Sequence, residues 1–169
     1  MALEQIILER DLQVVNELDE EVALTASTYL GARASHVFLL TQDNHLLLQK
    51  TGPDHRNPGR IGSSVAGFVI RGETYAEAAR RRTEQELGIT PVLRRIGSVR
   101  SPEPDGFKFS AVFIGSGDSA RVALPGHVGS LVRLGLDEIS SMLVTDSSQF
   151  TPTFPYVFAL ISLYFKLPQ

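Results

Sequence analysis

Apolar residues fall in short runs separated by turn-forming residues. Residues 35–41 (SHVFLLT) and 45–50 (HLLLQK) are two such runs on either side of QDN, which predicts a hairpin of two strands. Residues 64–70 (SVAGFVI), 92–100, 107–115 and 128–134 predict further strands, and 136–143 (LDEISSML) a short helix. Residues 150–169 open with prolines and then turn strongly apolar, the pattern of a terminal helix that tolerates proline in its first turn. Its unbroken apolar part runs for about ten residues, against the ~20 needed to span a bilayer. Residues 1–34 alternate apolar and acidic positions, with turn chemistry near Asn16–Glu21.

The most fully specified helix follows the 64–70 strand. Thr74 and Glu77 have the spacing of a capping box, and Gly88 stands where a left-handed residue ends a helix. Ala76, Ala79, Thr83 and Leu87 recur at helical spacing and predict a small-residue face that packs close to a sheet. Arg82, Gln85 and Glu86 share another face, and Arg82 and Glu86 are spaced to pair as an exposed i, i+4 couple.

The stretch 67–89 resembles a Nudix box, the signature of enzymes that hydrolyse a diphosphate linked to another moiety. Gly67, Glu73, Arg81, Glu86, Gly88 and Ile89 match its pattern. Arg82 and Gln85 stand where glutamates belong, and Thr83 where an aliphatic residue belongs. The resemblance implies an α/β fold, an α/β/α sandwich around a mixed sheet, with 1–169 as one domain: 1–34 an N-terminal extension and 150–169 a C-terminal helix. It also implies a Glu73–Arg81 ion pair shaping the box and Mg²⁺ or Mn²⁺ held by carboxylates on the helix. Here that face offers a cation, an amide and a single carboxylate, Glu86, as the metal ligand and catalytic group. Glu103 and Asp105, in the expected turn SPEPDG, are candidate catalytic acids from outside the box. His127 and Ser130 occupy places where relatives carry glutamates. The FTP and aromatic-rich ending resembles the branch that includes isopentenyl diphosphate isomerase. That enzyme needs a cysteine and several histidines, and Ala32 stands at one histidine position, so isomerase activity is not expected.

Composition narrows the picture. The chain has 169 residues, no cysteine and a formal charge of −3, which removes thiolate chemistry and gives no basic excess for nucleic acid. The charged N-terminus lacks a signal-peptide run, so a cytoplasmic location is expected. His36 and His45 are expected to be packed or surface histidines. The Gly/Pro-rich loop 51–64 carries His55, Arg56 and Arg60, and a loop with such cations beside the box is suited to receive phosphates. Three functions fit: a metal-dependent hydrolase of a nucleoside diphosphate-linked or other diphosphate compound, with weakened or lost activity; a module binding a small-molecule diphosphate through Arg82 with Arg56 or Arg60; and an interaction domain whose C-terminal helix forms a homodimer.

Overall fold

The computed structural model of the chain describes residues 5–10, 13–19, 31–70, 72–103 and 106–168. The strands, in chain order, are β1 (Gln5–Arg10), β2 (Gln13–Asp19), β3 (Gly31–Leu40), β4 (Leu46–Thr51), β5 (Ile61–Gly62), β6 (Val65–Phe68), β7 (Arg94–Glu103), β8 (Gly106–Ser116) and β9 (Val128–Leu134). The helices are α1 (Tyr75–Leu87), α2 (Leu136–Thr145) and α3 (Phe154–Lys166). All strands belong to one mixed sheet. Its spine is β3, which runs parallel to β8 along its whole length and antiparallel to β6 and β4 on its other edge. From β4 the sheet continues to β5 and β9, and from β8 to the outer strand β7.

The two-residue period of the strands builds the layers. Val37, Leu39, Ala111 and Phe113 point to the face covered by α1, where Ala79 and Leu87 close a core cluster. Phe38 and Val112, one residue out of step, point to the opposite face, where Ile139 of α2 and Phe154, Val157, Phe158 and Ile161 of α3 form the second cluster. This is the α/β/α arrangement expected above.

Three expectations change in detail. On α1, Ala76 is exposed and Ala78 is buried beside Ala79, Thr83 and Leu87, so the packed face is rotated toward Ala78. The expected turn at 101–106 is shorter, because β7 and β8 stay paired out to Glu103 and Gly106, with Pro102 on a strand that pairs only with β8 among the described residues. Asp105 and the side chain of Glu103 lie outside the described residues. The terminal helix starts later than residue 150, because Phe150 to Thr153 form the turn that leads into it. Among the described residues, no helix is long and apolar enough to cross a membrane.

Candidate functional site

α1 begins and ends as its caps dictate. The Thr74 hydroxyl accepts from the Glu77 amide while the Glu77 carboxylate accepts from the Thr74 amide, and Gly88 closes the helix at φ 66°. Before the helix, Glu73 takes a two-pronged bond from Arg81, at 2.5 Å from Nε and 3.1 Å from Nη2. Arg81 Nη2 also donates to the Phe68 carbonyl (3.1 Å), and Glu73 Oε2 accepts from the Ile70 amide (3.0 Å). The pair therefore clamps the end of β6, the turn and the helix into one unit. Its fork geometry is spent on the Glu73 carboxylate, with one further bond to the Phe68 carbonyl.

Glu86, one turn further along, is fully buried. The expected exposed couple with Arg82 is corrected by this burial: the carboxylate is out of solvent and the guanidinium nearly so. Glu86 Oε1 receives His127 Nε2 at 3.0 Å and Gln49 Nε2 at 3.3 Å. Glu86 Oε2 faces Arg82 Nε at 3.6 Å, too long for a hydrogen bond, and neither atom has a hydrogen-bond partner.

His127 reaches this point through backbone approach. Gly52 N–H donates to the His127 carbonyl, and a Cβ on Gly52 would lie 2.1 Å from the Gly126 carbonyl oxygen, so only glycine lets the two loops meet. Gly67 plays a similar part for Arg82: an added Cβ would lie 2.4 Å from the arginine Cγ. The stem of Arg82 thus lies across β6. Because His127 Nε2–H is directed to Glu86, the Arg82 Nη2 atom 3.4 Å from it meets a donor and finds no acceptor there.

Beside this network lies a cavity of about 410 Å³. Arg56, Arg82 and Lys108 bring positive charge to its wall, and Asp54 one carboxylate. Ala34, Ala66, Phe68, Leu124 and Pro152 supply apolar surface. Lys108 is buried, with Nζ donating to Thr153 Oγ1 at 2.9 Å. Arg60 does not line the cavity; its backbone ties the loop to Thr51, whose hydroxyl accepts from the Arg60 amide. Of the residues singled out in the sequence, Arg56 and Arg82 thus share one cavity, and Glu86 lies behind Arg82. His36, Gln49, Lys108, His127 and Thr153 were not singled out as site residues. The lysine between Phe107 and Phe109 on a strand was the available signal for Lys108.

Two histidines on the wall are held neutral. Burial, then Lys108 and Arg56, lower His36 to about 3; burial, then His127, Arg56, Lys108 and Arg82, lower His55 to about 4. The unfolded chain takes up these protons near 6.5 and the folded chain only at the lowered values. Stability is therefore flat in these groups above pH 6.5 and falls as pH drops below it. For His36 alone the loss is expected to reach about 2 kcal/mol by pH 5. Thermal melts from pH 7.5 to 5 check this: they should decline in the protein and about half as steeply in His36→Leu, where His55 still titrates. A pH-independent melting temperature over that range would refute it.

The donor set fits a hard divalent ion poorly. Such ions want several oxygen ligands, and Glu86, the carboxylate of that helix face, is engaged by an imidazole and an amide on one oxygen and faced by a guanidinium on the other. Among the described residues no three His, Asp or Glu side chains converge as a metal site.

Comparison with known proteins agrees with this architecture. Residues 30–132 match the NUDIX domain. Isopentenyl-diphosphate Delta-isomerase of Streptomyces griseus is 34% identical over 105 residues, covering 57% of this chain and 53% of that one. The chain thus spans about half the length of this relative. Prenyl-diphosphate phosphatase of Methanosarcina mazei is 27% identical over 125 residues, covering 71% of this chain and 73% of that protein. Among solved structures, the MutT protein of Methanosarcina mazei superposes with a TM-score of 0.66 at 16% identity, covering 84% of this chain and 97% of that one. The NUDIX domain of Shewanella oneidensis NrtR, solved with ADP ribose, gives 0.61 at 14% identity, covering 89% and 100%. With the domain matched over more than half its length and the box framework in place, the chain belongs to the NUDIX domain family.

Proposed function

We propose that this protein binds a small-molecule diphosphate ester in the cavity beside the box helix, with Arg82, Arg56 and Lys108 meeting the charge that a metal ion meets in relatives with a complete box. The observation that carries this reading is Arg82. Its stem is laid across Gly67, it lines the cavity, and its Nη2 stands 3.4 Å from a His127 nitrogen already directed to Glu86, so it has no acceptor there. A planar guanidinium with an Nη2 that lacks an acceptor suits a phosphate. The relatives named for isopentenyl diphosphate and prenyl diphosphate chemistry support a diphosphate as the ligand class.

Titration calorimetry with inorganic pyrophosphate in chelator tests the reading. Binding is expected without added metal, and Arg82→Gln is expected to weaken it about 10- to 100-fold, the worth of one hydrogen bond to a charged group. Binding that needs Mg²⁺ and ignores Arg82→Gln would overturn it.

A second reading, metal-dependent hydrolysis of a diphosphate by a weakened box, is favoured by one observation: Glu86 Oε2 is buried with no hydrogen-bond partner, Arg82 Nε standing 3.6 Å away. Phosphate release that requires Mg²⁺ or Mn²⁺ and disappears in Glu86→Gln would select this reading.

A further inference from the structure

Sixteen residues of the chain are lysine or arginine, and of these Lys50, Lys108 and Lys166 alone are lysines. Lys50 and Lys166 are exposed, whereas Lys108 is 5% exposed and lines the cavity. It stands on β8 on the same face as Ser110 and Val112, turned toward α3. Two groups that fix the position of its Nζ line the cavity as well. The Thr153 hydroxyl oxygen lies 2.9 Å from Nζ and the centroid of the Phe68 ring 5.9 Å from it. The Arg56 guanidinium lies 5.8 Å from the same centroid. The amine therefore belongs to the cavity wall, beside an arginine. Arginine is the better clamp for phosphate, and this chain uses it for nearly all its cations. What lysine adds is chemistry: its amine can shed a proton and add to a carbonyl carbon.

Resting on the reading above for the side chains that hold phosphate, we infer that Lys108 Nζ forms an imine with a phosphate ester carrying an aldehyde or ketone, whose phosphate end is held by Arg82 and Arg56. Lys108, a cation toward a diphosphate, is a nucleophile toward this second class of ligand. The ammonium first gives one proton to solvent. The nitrogen lone pair then adds to the carbonyl carbon, and the C–O π pair moves to oxygen. That oxygen takes the two remaining nitrogen protons and leaves as water while the C=N bond forms. Thr153 Oγ1, bonded to the amine before reaction, holds it in place. The apolar wall of Ala34, Ala66 and Phe68 disfavours the hydrolysis that would return the imine to the amine.

The test uses pyridoxal 5′-phosphate, an aldehyde with one phosphate, as the probe. Cyanoborohydride fixes any imine as a stable amine, and peptide mapping places it. In the native protein Lys108 is expected to be labelled at least about 10-fold faster than Lys50 or Lys166, because a held carbonyl faces the amine at a high effective concentration. Pyridoxal, which lacks the phosphate, should label Lys108 about 10-fold more slowly, the worth of one hydrogen bond to a charged group. Arg82→Gln and excess pyrophosphate should slow the labelling to a similar extent. Lys108→Arg keeps the charge and should abolish the imine absorbance of the unreduced complex. A protein that binds pyrophosphate in calorimetry, yet carries its label on Lys50, Lys166 or the N-terminal amine with Lys108 no faster, would overturn the inference alone. Failure of pyrophosphate to bind would instead remove the diphosphate-binding reading beneath it.

Discussion

Converting Arg82 and Gln85 together to glutamate should cost the protein about 3–5 kcal/mol in chelator, the penalty for breaking a buried ion pair. Mg²⁺ should return much of that. In the native protein Glu86 is fully buried and relies on Arg82, His127 and Gln49 for compensation. The double substitution removes the guanidinium and places a second carboxylate one helical turn from the first. Gln85, now only an acceptor for Arg81 and Arg82, becomes a third. Three acidic groups on one helix face form the oxygen-rich surface that a hard divalent ion wants. At about one hundred times its dissociation constant, the ion would stabilise the folded state by about 2.7 kcal/mol. Melting temperatures should fall by roughly 6–20 °C in chelator and rise again with Mg²⁺. A variant as stable as the native protein, or one whose melting and calorimetry ignore Mg²⁺, would show that this face is not where a box metal belongs. Arg82→Gln alone separates the two effects, because it removes the cation without adding charge.

That experiment also marks where sequence reading stopped. The cap at Thr74 and Glu77 and the stop at Gly88 are written in local spacing, the Glu73–Arg81 pair is what the family resemblance implies, and the structure carries all of them. The apolar runs around Phe38 and Val112 likewise mark strands, and which core each side chain joins then follows from its position along the strand. The environment of Glu86 could not be foretold in that way. Gln49 is 37 positions away from it, and His127 lies 45 from Arg82. These groups meet only because Gly52 and Gly126 let two loops touch. Burial changed the chemistry more than the substitutions themselves did. An exposed Arg–Glu couple is worth about 0.3–0.5 kcal/mol, whereas a buried one decides which charges the neighbouring cavity can tolerate. The same holds for His36: expected to be packed or at the surface, it is packed, with its Nε2 left without a hydrogen-bond partner.

Phe154→Ala should have the other large effect, about 3–5 kcal/mol of lost stability, and it should reach the cavity as well. Phe154 is fully buried at the start of α3. Its ring stacks on Phe150 (centroids 4.6 Å apart) and Phe158 (5.5 Å) and tilts against Phe38 of the central strand (6.1 Å). Truncation removes the middle ring of a column and leaves a void between helix and sheet, and stacked pairs add about 0.5–1.5 kcal/mol beyond buried area. The residue before it, Thr153, accepts from Lys108 Nζ, and Thr151 donates its amide to the Ile61 carbonyl beside the cavity. Loosening the first turn of α3 therefore loosens a cation on the cavity wall, and pyrophosphate affinity should fall together with stability. Leu163→Ala on the outward side of the same helix, 53% exposed, should stay within about 0.5 kcal/mol of the native protein and leave affinity alone. Denaturant unfolding of the two variants, with calorimetry on each, decides the matter. A Phe154→Ala protein within about 1 kcal/mol of native stability would mean that α3 does not anchor this side of the site. A destabilised one with native pyrophosphate affinity would mean that the anchor and the cavity are independent.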